Sequence, residues 1–210
     1  MLTGQLGEAF YVFVTLMAML NPIEAAAAFA TLTEGRSPRE QAQIARRAST
    51  VAAIILIGFA FAGEALLSAV GVELGAFKIA GGLLLLKVGF DMVYAEKTDT
   101  QTADSAKPVT DPSVFPLAIP IITGPGSLTL AVALVKPGPG HQLHSGVFVI
   151  IALVVVGITY LAMRGAQKIT AWLGKTGVDA VGRIFGIIIA AIAVQLIVNG
   201  VAGLTNLKIR

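Results

Sequence analysis

The sequence holds no cysteine, two histidines in 210 residues, and only 13% charged side chains. Without cysteine there is no disulfide framework, no thiol nucleophile and no thiolate metal site. The histidines, His141 and His144, stand in a polar interval and read as solvated loop residues rather than metal ligands. A soluble domain carries about 25% charged residues, so about half the usual charge is missing, while hydrophobic residues reach 56%. The net charge of +3 is small, and the basic residues flank apolar runs, which argues against a nucleic-acid partner. The N-terminal MLTGQLGEAF lacks a positive start and a small-residue cleavage site, so no removable signal peptide is expected. No activated nucleophile and no cofactor or metal motif is present, so the expectation is a non-enzyme without cofactors.

What the chain does have is long apolar runs. A bilayer core about 30 Å thick is crossed by about 20 mostly apolar helical residues. The first candidate runs from Ala9 to Ala30, interrupted only by Asn21, Pro22 and Glu24. After a polar interval, Ser37-Pro38-Arg39-Glu40 reads as a capping box with proline at the first helical position. The second helix is therefore expected from Pro38, entering the bilayer after Arg46 and Arg47 and ending near Val70. A third helix is expected over Leu74 to Tyr94, although it carries Lys78, Lys87 and Asp91. A polar stretch to Pro112 precedes a fourth, Val114 to Val135, which holds Pro116, Pro120 and Thr123-Gly124-Pro125-Gly126. Lys136-Pro-Gly-Pro-Gly140 reads as a turn. The fifth covers about Ser145 to Met163. Arg164 to Arg183 reads as a basic segment with a short interfacial helix and Trp172 at headgroup level. The sixth runs from Ile184 to Leu207.

Orientation follows from the basic residues. Arg36, Arg39, Arg46, Arg47, Lys97, Lys107, Arg164, Lys168, Lys175 and Arg183 fall on one side; Lys78, Lys136, Lys208 and Arg210 fall on the other. The first group belongs in the cytoplasm, which puts both termini outside the cell membrane. The halves also resemble each other faintly. Pro22-Ile23 with Thr31-Leu32 matches Pro120-Ile121 with Thr129-Leu130, and Lys78-Ile79-Ala80-Gly81 matches Arg183-Ile184-Phe185-Gly186. Three spans per half is an odd number, so the second half must be inverted relative to the first, a plan common among secondary transporters. The expected architecture is an all-α integral membrane protein of six transmembrane helices as two inverted three-helix repeats. Residues 1–95 and 113–210 form the repeats and 96–112 a cytoplasmic loop.

The same pattern points to a site. Proline in mid-helix removes a backbone hydrogen bond and clashes with the preceding turn. Asn21-Pro22 is therefore expected to break helix one, and Thr123-Gly124-Pro125-Gly126 to break helix four, with the half-helix start near Gly124 to Ser127 a candidate substrate-carboxylate site. The plainer reading of these features is a pair of proline kinks. Matched breaks near the bilayer midplane expose half-helix ends, whose amides attract carboxylates and whose carbonyls attract cations. Glu24, Lys87 and Asp91 are expensive inside a membrane and are expected to face the bundle interior. Lys87 and Asp91 are one turn apart and can pair; Lys87 could instead reach Glu24. A carboxylate among them is a candidate for proton coupling, or Glu24 and Asp91 for intramembrane acid–base chemistry. Gln195 and Asn199, one turn apart on helix six, line a cavity or join helices.

These residues resemble a known family. Asn21-Pro22-Ile23, Phe77-Lys78-Ile79-Ala80-Gly81-Gly82-Leu83-Leu84, Pro116-Leu117-Ala118-Ile119-Pro120 with Gly124-Pro125-Gly126, and Arg183-Ile184-Phe185-Gly186 running into Ala190-Ala191-Ile192-Ala193-Val194-Gln195 are similar to the MarC family of bacterial inner-membrane proteins. The resemblance implies two inverted repeats with discontinuous helices one and four. It also implies transport of small neutral amino acids such as glycine and alanine, as in SnatA-type members, with drug or other small-metabolite efflux as the alternative. Two positions depart from the family's usual pattern: Glu24 stands where glycine is usual, and Lys87 where an apolar residue is usual. Their opposite signs lead to the expectation of a compensating Glu24–Lys87 pair. The expected partners are an amino acid and the lipid bilayer.

Overall fold

The computed structural model describes residues 2–94, 111–135 and 145–205, and all regular structure among them is helical. The elements are α1 (Leu2–Leu20), α2 (Pro22–Leu32), α3 (Pro38–Ala69), α4 (Leu74–Tyr94), a wide-turned segment π1 (Ser113–Ile122), α5 (Pro125–Val135), α6 (Ser145–Arg164) and α7 (Ala166–Thr205). The loop basics Lys97 and Lys107, the turn after Lys136, both histidines, Leu207, Lys208 and Arg210 lie outside the described residues.

Local chemistry explains most boundaries. Asn21 alone separates α1 from α2. Ser37 and Glu40 form the expected capping box: the Glu40 amide donates to Ser37 Oγ, and the Ser37 amide donates to Glu40 Oε2 at 2.8 Å. The Ser37 hydroxyl, which donates to Glu40 Oε2 at 2.7 Å, and then the Ser37 amide hold the Glu40 carboxyl below its ordinary range. α3 has 32 residues, or about 48 Å of helix, so its basic first turns project beyond a bilayer core. It stops at Gly71, whose φ of 72° suits the left-handed position after a helix end, while the Val72 amide reaches back to the Leu67 carbonyl at 2.9 Å.

The segment expected as a fourth helix is more irregular than the sequence suggests. Phe115 and Ile119 take extended dihedrals because each precedes a proline, whose ring disfavours helical backbone before it. The chain compensates with five-residue spacing: the Leu117 amide donates to Pro112, and the Thr123 amide to Ala118 at 2.8 Å. π1 and the following helix are bent by 63°. The last helix also differs from expectation. No boundary falls at Arg183; α7 runs 40 residues and is interrupted only at Gly174, with φ 64° and ψ 177°. That region is open only to glycine, and the rest of the basic segment contains no proline to end a helix. Trp172 is exposed just before this break.

Among the described residues, four helices are long and apolar enough to cross a membrane: Leu6–Leu32, Pro38–Ala69, Gly146–Arg164 and Thr176–Thr205. The bent pair of π1 and α5 makes a fifth candidate span. α4 forms over its expected range, about 31 Å long, but it carries three charges, Lys78, Lys87 and Asp91, and is not among these candidate spans. The chain is a multi-pass integral membrane protein.

Packing follows the small residues. Gly75, Gly82 and Gly89 put one face of α4 against α7 running the opposite way. A methyl group on Gly89 would stand 2.9 Å from the Gly186 carbonyl oxygen, and one on Gly186 2.9 Å from that of Gly89. Gly200 meets the Gly75 carbonyl in the same manner at 2.7 Å. Close backbone approach through small residues is how helices associate where lipid offers no hydrophobic contrast. α5 is seated by the same means, with Thr129 against Gly81, Leu85 against Gly126 and Val132 against Gly63. Leu16, Leu56, Leu117, Ile122 and Phe148 fill the interior between helices.

Candidate functional site

The site is built where two spans lose their regular backbone. Asn21 has φ 35° and ψ 75°, and is the one non-glycine among the described residues with positive φ. Asparagine tolerates this conformation better than most side chains. Its amide donates to the Met17 carbonyl, closing α1, and its carbonyl accepts from Ala25, opening α2. The side chain, 5% exposed, completes the junction. Oδ1 accepts from the Glu24 amide at 3.4 Å and Nδ2 donates to Glu24 Oε2 at 2.8 Å. With Pro22 at the first helical position, Asn21-Pro22-Ile23-Glu24 is a reciprocal cap with the same residue spacing as Ser37-Pro38-Arg39-Glu40.

The second break is satisfied differently. Thr123, 1% exposed, donates both its amide and its hydroxyl to the Ala118 carbonyl, at 2.8 and 2.7 Å. Gly124 turns the chain, and its carbonyl accepts from Ser127 Oγ at 2.9 Å. Ser127 is 3% exposed and Gly126 is buried. Pro125 begins α5, where its missing N–H is no loss. The amides of Gly126 and Ser127 then have no acceptor one helical turn back, as at any α-helix start. Freed backbone groups at membrane depth must be answered within the protein, and these side chains do much of that work. The elements that carry the breaks touch one another: α1 meets both π1 and α5, and α2 meets π1.

The charged residues distribute otherwise than expected. Lys87 bonds Asp91 on its own helix, Nζ to Oδ2 at 2.8 Å. The expected Glu24–Lys87 pair is not formed, because Asn21 holds Glu24 and Asp91 holds Lys87. Nor does Lys87 face the interior, since 62% of its side chain is exposed against 17% for Asp91. Lys87 is two residues from Gly89, hence about 200° around the helix from the face packed on α7. Gln195 and Asn199 bond each other at 2.9 Å on an exposed face of α7, and so line no interior cavity between the breaks.

Buried polar residues that the sequence did not mark as site candidates are Thr15, Thr33, Ser49, Ser113, Thr129 and Thr159. Thr129 carried a signal in its match to Thr31, whereas lone threonines elsewhere are common helix residues in apolar chains. At the basic end, Arg47 on α3 pairs with Asp111, which leads into π1. Asp111 Oδ1 also accepts from the Ser113 amide at 3.0 Å. Hydrogen bonding from Ser113, ahead of the charges of Arg47 and Arg36, holds the Asp111 carboxyl below its ordinary range. Cavities of about 360 Å³ beside Glu64 and Glu73 and about 180 Å³ beside Arg36 and Arg47 lie near helix ends, away from both breaks.

Comparison with known proteins agrees with the architecture. Residues 6–205 match the model of the MarC family integral membrane proteins. A UPF0056 membrane protein of Methanocaldococcus jannaschii is 36% identical over 195 residues, covering 91% of this chain and 94% of the relative. The UPF0056 membrane protein YvbG of Bacillus subtilis is 32% identical over 199 residues, covering 92% and 94%. One from Aquifex aeolicus is 32% identical over 197 residues, covering 91% of each. No solved structure matches the chain. With nearly its full length matched, and with the broken first span and the Pro-Leu-Ala-Ile-Pro segment in place, the chain belongs to the MarC family of integral membrane proteins.

Proposed function

We propose that this chain is a secondary transporter of small neutral amino acids, of glycine or alanine type, working by export or exchange across the inner membrane. Its six spans form two inverted repeats, with α4 as the third span and both termini outside. The observation that carries the reading is the pair of helix breaks, at Asn21 and at Thr123–Gly124, on elements that touch one another.

The neighbour relations support the repeat. α3 packs on α5 and π1 as α6 packs on α2 and α1, while α4 packs on α5 as α7 packs on α2. The remaining large contacts, α3 with α6 and α4 with α7, join equivalent helices of the two halves. Exchanging the halves thus returns a similar set of neighbours, as an inverted repeat requires.

In this reading a zwitterion bridges the breaks. Its carboxylate lies at the start of α5, by the amides of Gly126 and Ser127, where the helix dipole favours negative charge. Its ammonium faces Asn21, Glu24 and the carbonyls ending α1. Asn21, Thr123 and Ser127 are almost fully buried, so binding and release require the half-helices to part. Rocking of one repeat against the other supplies that motion.

Proteoliposome uptake of a panel of labelled amino acids, with and without a proton gradient, tests the proposal. Saturable, substrate-specific counterflow of glycine or alanine is expected. Flat uptake of every amino acid would sink the reading, and uptake of unrelated drugs alone would replace it with efflux.

A further inference from the structure

The inner side of α4 is fully committed. Gly75, Gly82 and Gly89 meet α7, while Gly81 and Leu85 meet α5. Its outer side is not a plain lipid-facing surface. Phe77, Ala80, Leu84, Lys87, Asp91 and Tyr94 follow one another at alternating spacings of three and four residues, the seam along which two parallel helices wind together. Leu84 is 48% and Tyr94 71% exposed, and the Lys87–Asp91 ion pair sits in the same stripe. The outward faces of α3 and α6 show apolar side chains such as Ile54, Phe61, Ile150 and Leu161, and Leu83, Val88 and Phe90 do the same on α4; the ion pair is what sets the α4 stripe apart.

We propose that the outer face of α4 binds α4 of a second copy of this chain, in a parallel two-fold pair centred on Lys87 and Asp91. Charge complementarity selects that occupant. Both copies insert with the same orientation, because their basic loops fix it. A two-fold axis along the bilayer normal therefore brings each seam against itself in register. Lys87 of one copy then meets Asp91 of the other, and the two ion pairs close into a neutral ring of four charges. Acyl chains offer no such partner. A polar residue at a seam position also sets register and strand number, so Lys87 and Asp91 specify the pair as well as stabilising it. The proposal does not depend on what the protein transports.

The absence of cysteine makes the test clean. Single-molecule photobleaching of the full-length protein in lipid vesicles is expected to show two-step bleaching, increasing with protein density. Leu84→Cys is expected to give an oxidised dimer, whereas Ile54→Cys on α3 and Ile150→Cys on α6 are not. Asp91→Lys, which places four positive charges around the axis, should weaken dimerisation by about tenfold or more. The exchange Lys87→Asp with Asp91→Lys should recover it. One-step bleaching of the unmodified chain at every density overturns the proposal, and needs no variant to fold. A dimer indifferent to Asp91→Lys also overturns it, since a lysine merely reaching for the headgroups predicts that result.

Discussion

The junction at Asn21 makes a quantitative prediction, because one residue is asked to do two things. It occupies a left-handed backbone conformation, and its side chain caps α2 through the Glu24 amide and carboxylate. Replacing a capping side chain by alanine costs about 0.5–2 kcal/mol. Placing an ordinary side chain in the left-handed region costs about 1–2 kcal/mol, part of which asparagine already bears. Asn21→Ala should therefore destabilise by about 2–3 kcal/mol. Asn21→Gly keeps the backbone conformation at no steric penalty, and glycine as a cap costs only a few tenths of a kcal/mol. It still leaves Glu24 without its 2.8 Å donor, so about 1 kcal/mol is expected from the lost charge-assisted bond. Glu24→Gln preserves an oxygen that accepts from Nδ2 and should be the mildest of the three. Unfolding free energies measured by steric trapping in bicelles give the order directly. Equal losses for alanine and glycine would refute the conformational half of the argument. A larger loss for Glu24→Gln than for Asn21→Ala would refute the capping half.

Gly89→Val and Gly186→Val should each lose about 1–3 kcal/mol, since a methyl at either site lands 2.9 Å from a backbone carbonyl. Gly58→Ala in α3 meets nothing within 4 Å and should be neutral or stabilise by up to about 1 kcal/mol; melting in detergent separates the two classes. Glu24→Gln and Lys87→Met should combine additively to within about 0.5 kcal/mol in folding free energy, because each group has another partner; a coupling energy well above that would restore the direct pair. The lowered Asp111 carboxyl contributes stability above its ordinary range near pH 3.8, and that contribution is lost as pH falls through the folded-state value. Asp111→Asn should flatten this acid limb of a stability–pH curve by at most about 1 kcal/mol, the pair being exposed, and leave the curve above pH 5 parallel.

Much of this architecture was legible because it is written in local grammar. Ser37-Pro38-Arg39-Glu40 announced the start of α3, and the helix predicted over Leu74 to Tyr94 has those limits. The breaks at Asn21 and at Thr123–Gly124 followed from proline and glycine chemistry, which acts within a few residues. The five-residue turns of π1 were not foreseen. Two prolines forbid regular hydrogen bonding there, but which carbonyls take the displaced amides depends on neighbouring helices. The supposed boundary at Arg183 rested on charge. Charge places a residue relative to the bilayer surface but does not end a helix, so α7 runs through it.

The misplaced charges teach more, since signals for both were present. Asn21-Pro22-Ile23-Glu24 repeats the residue spacing of Ser37-Pro38-Arg39-Glu40, and a cap that already uses its carboxylate has little left for a distant lysine. Gly75, Gly82 and Gly89 recur every seven residues, as do Gly186, Ala193 and Gly200 on α7. Two such stripes fix which sides of the helices meet, and Lys87 lies opposite that side. The direction of Lys87 was therefore set by the glycines rather than by the cost of its charge. Burial cost gives a reason for a charge to be satisfied, and Asp91 one turn away does so without any tertiary contact. It does not give a direction. Direction comes from the residues too small to hold helices apart, and in this chain they turn the Lys87–Asp91 ion pair away from the α7 and α5 contacts and toward the outside.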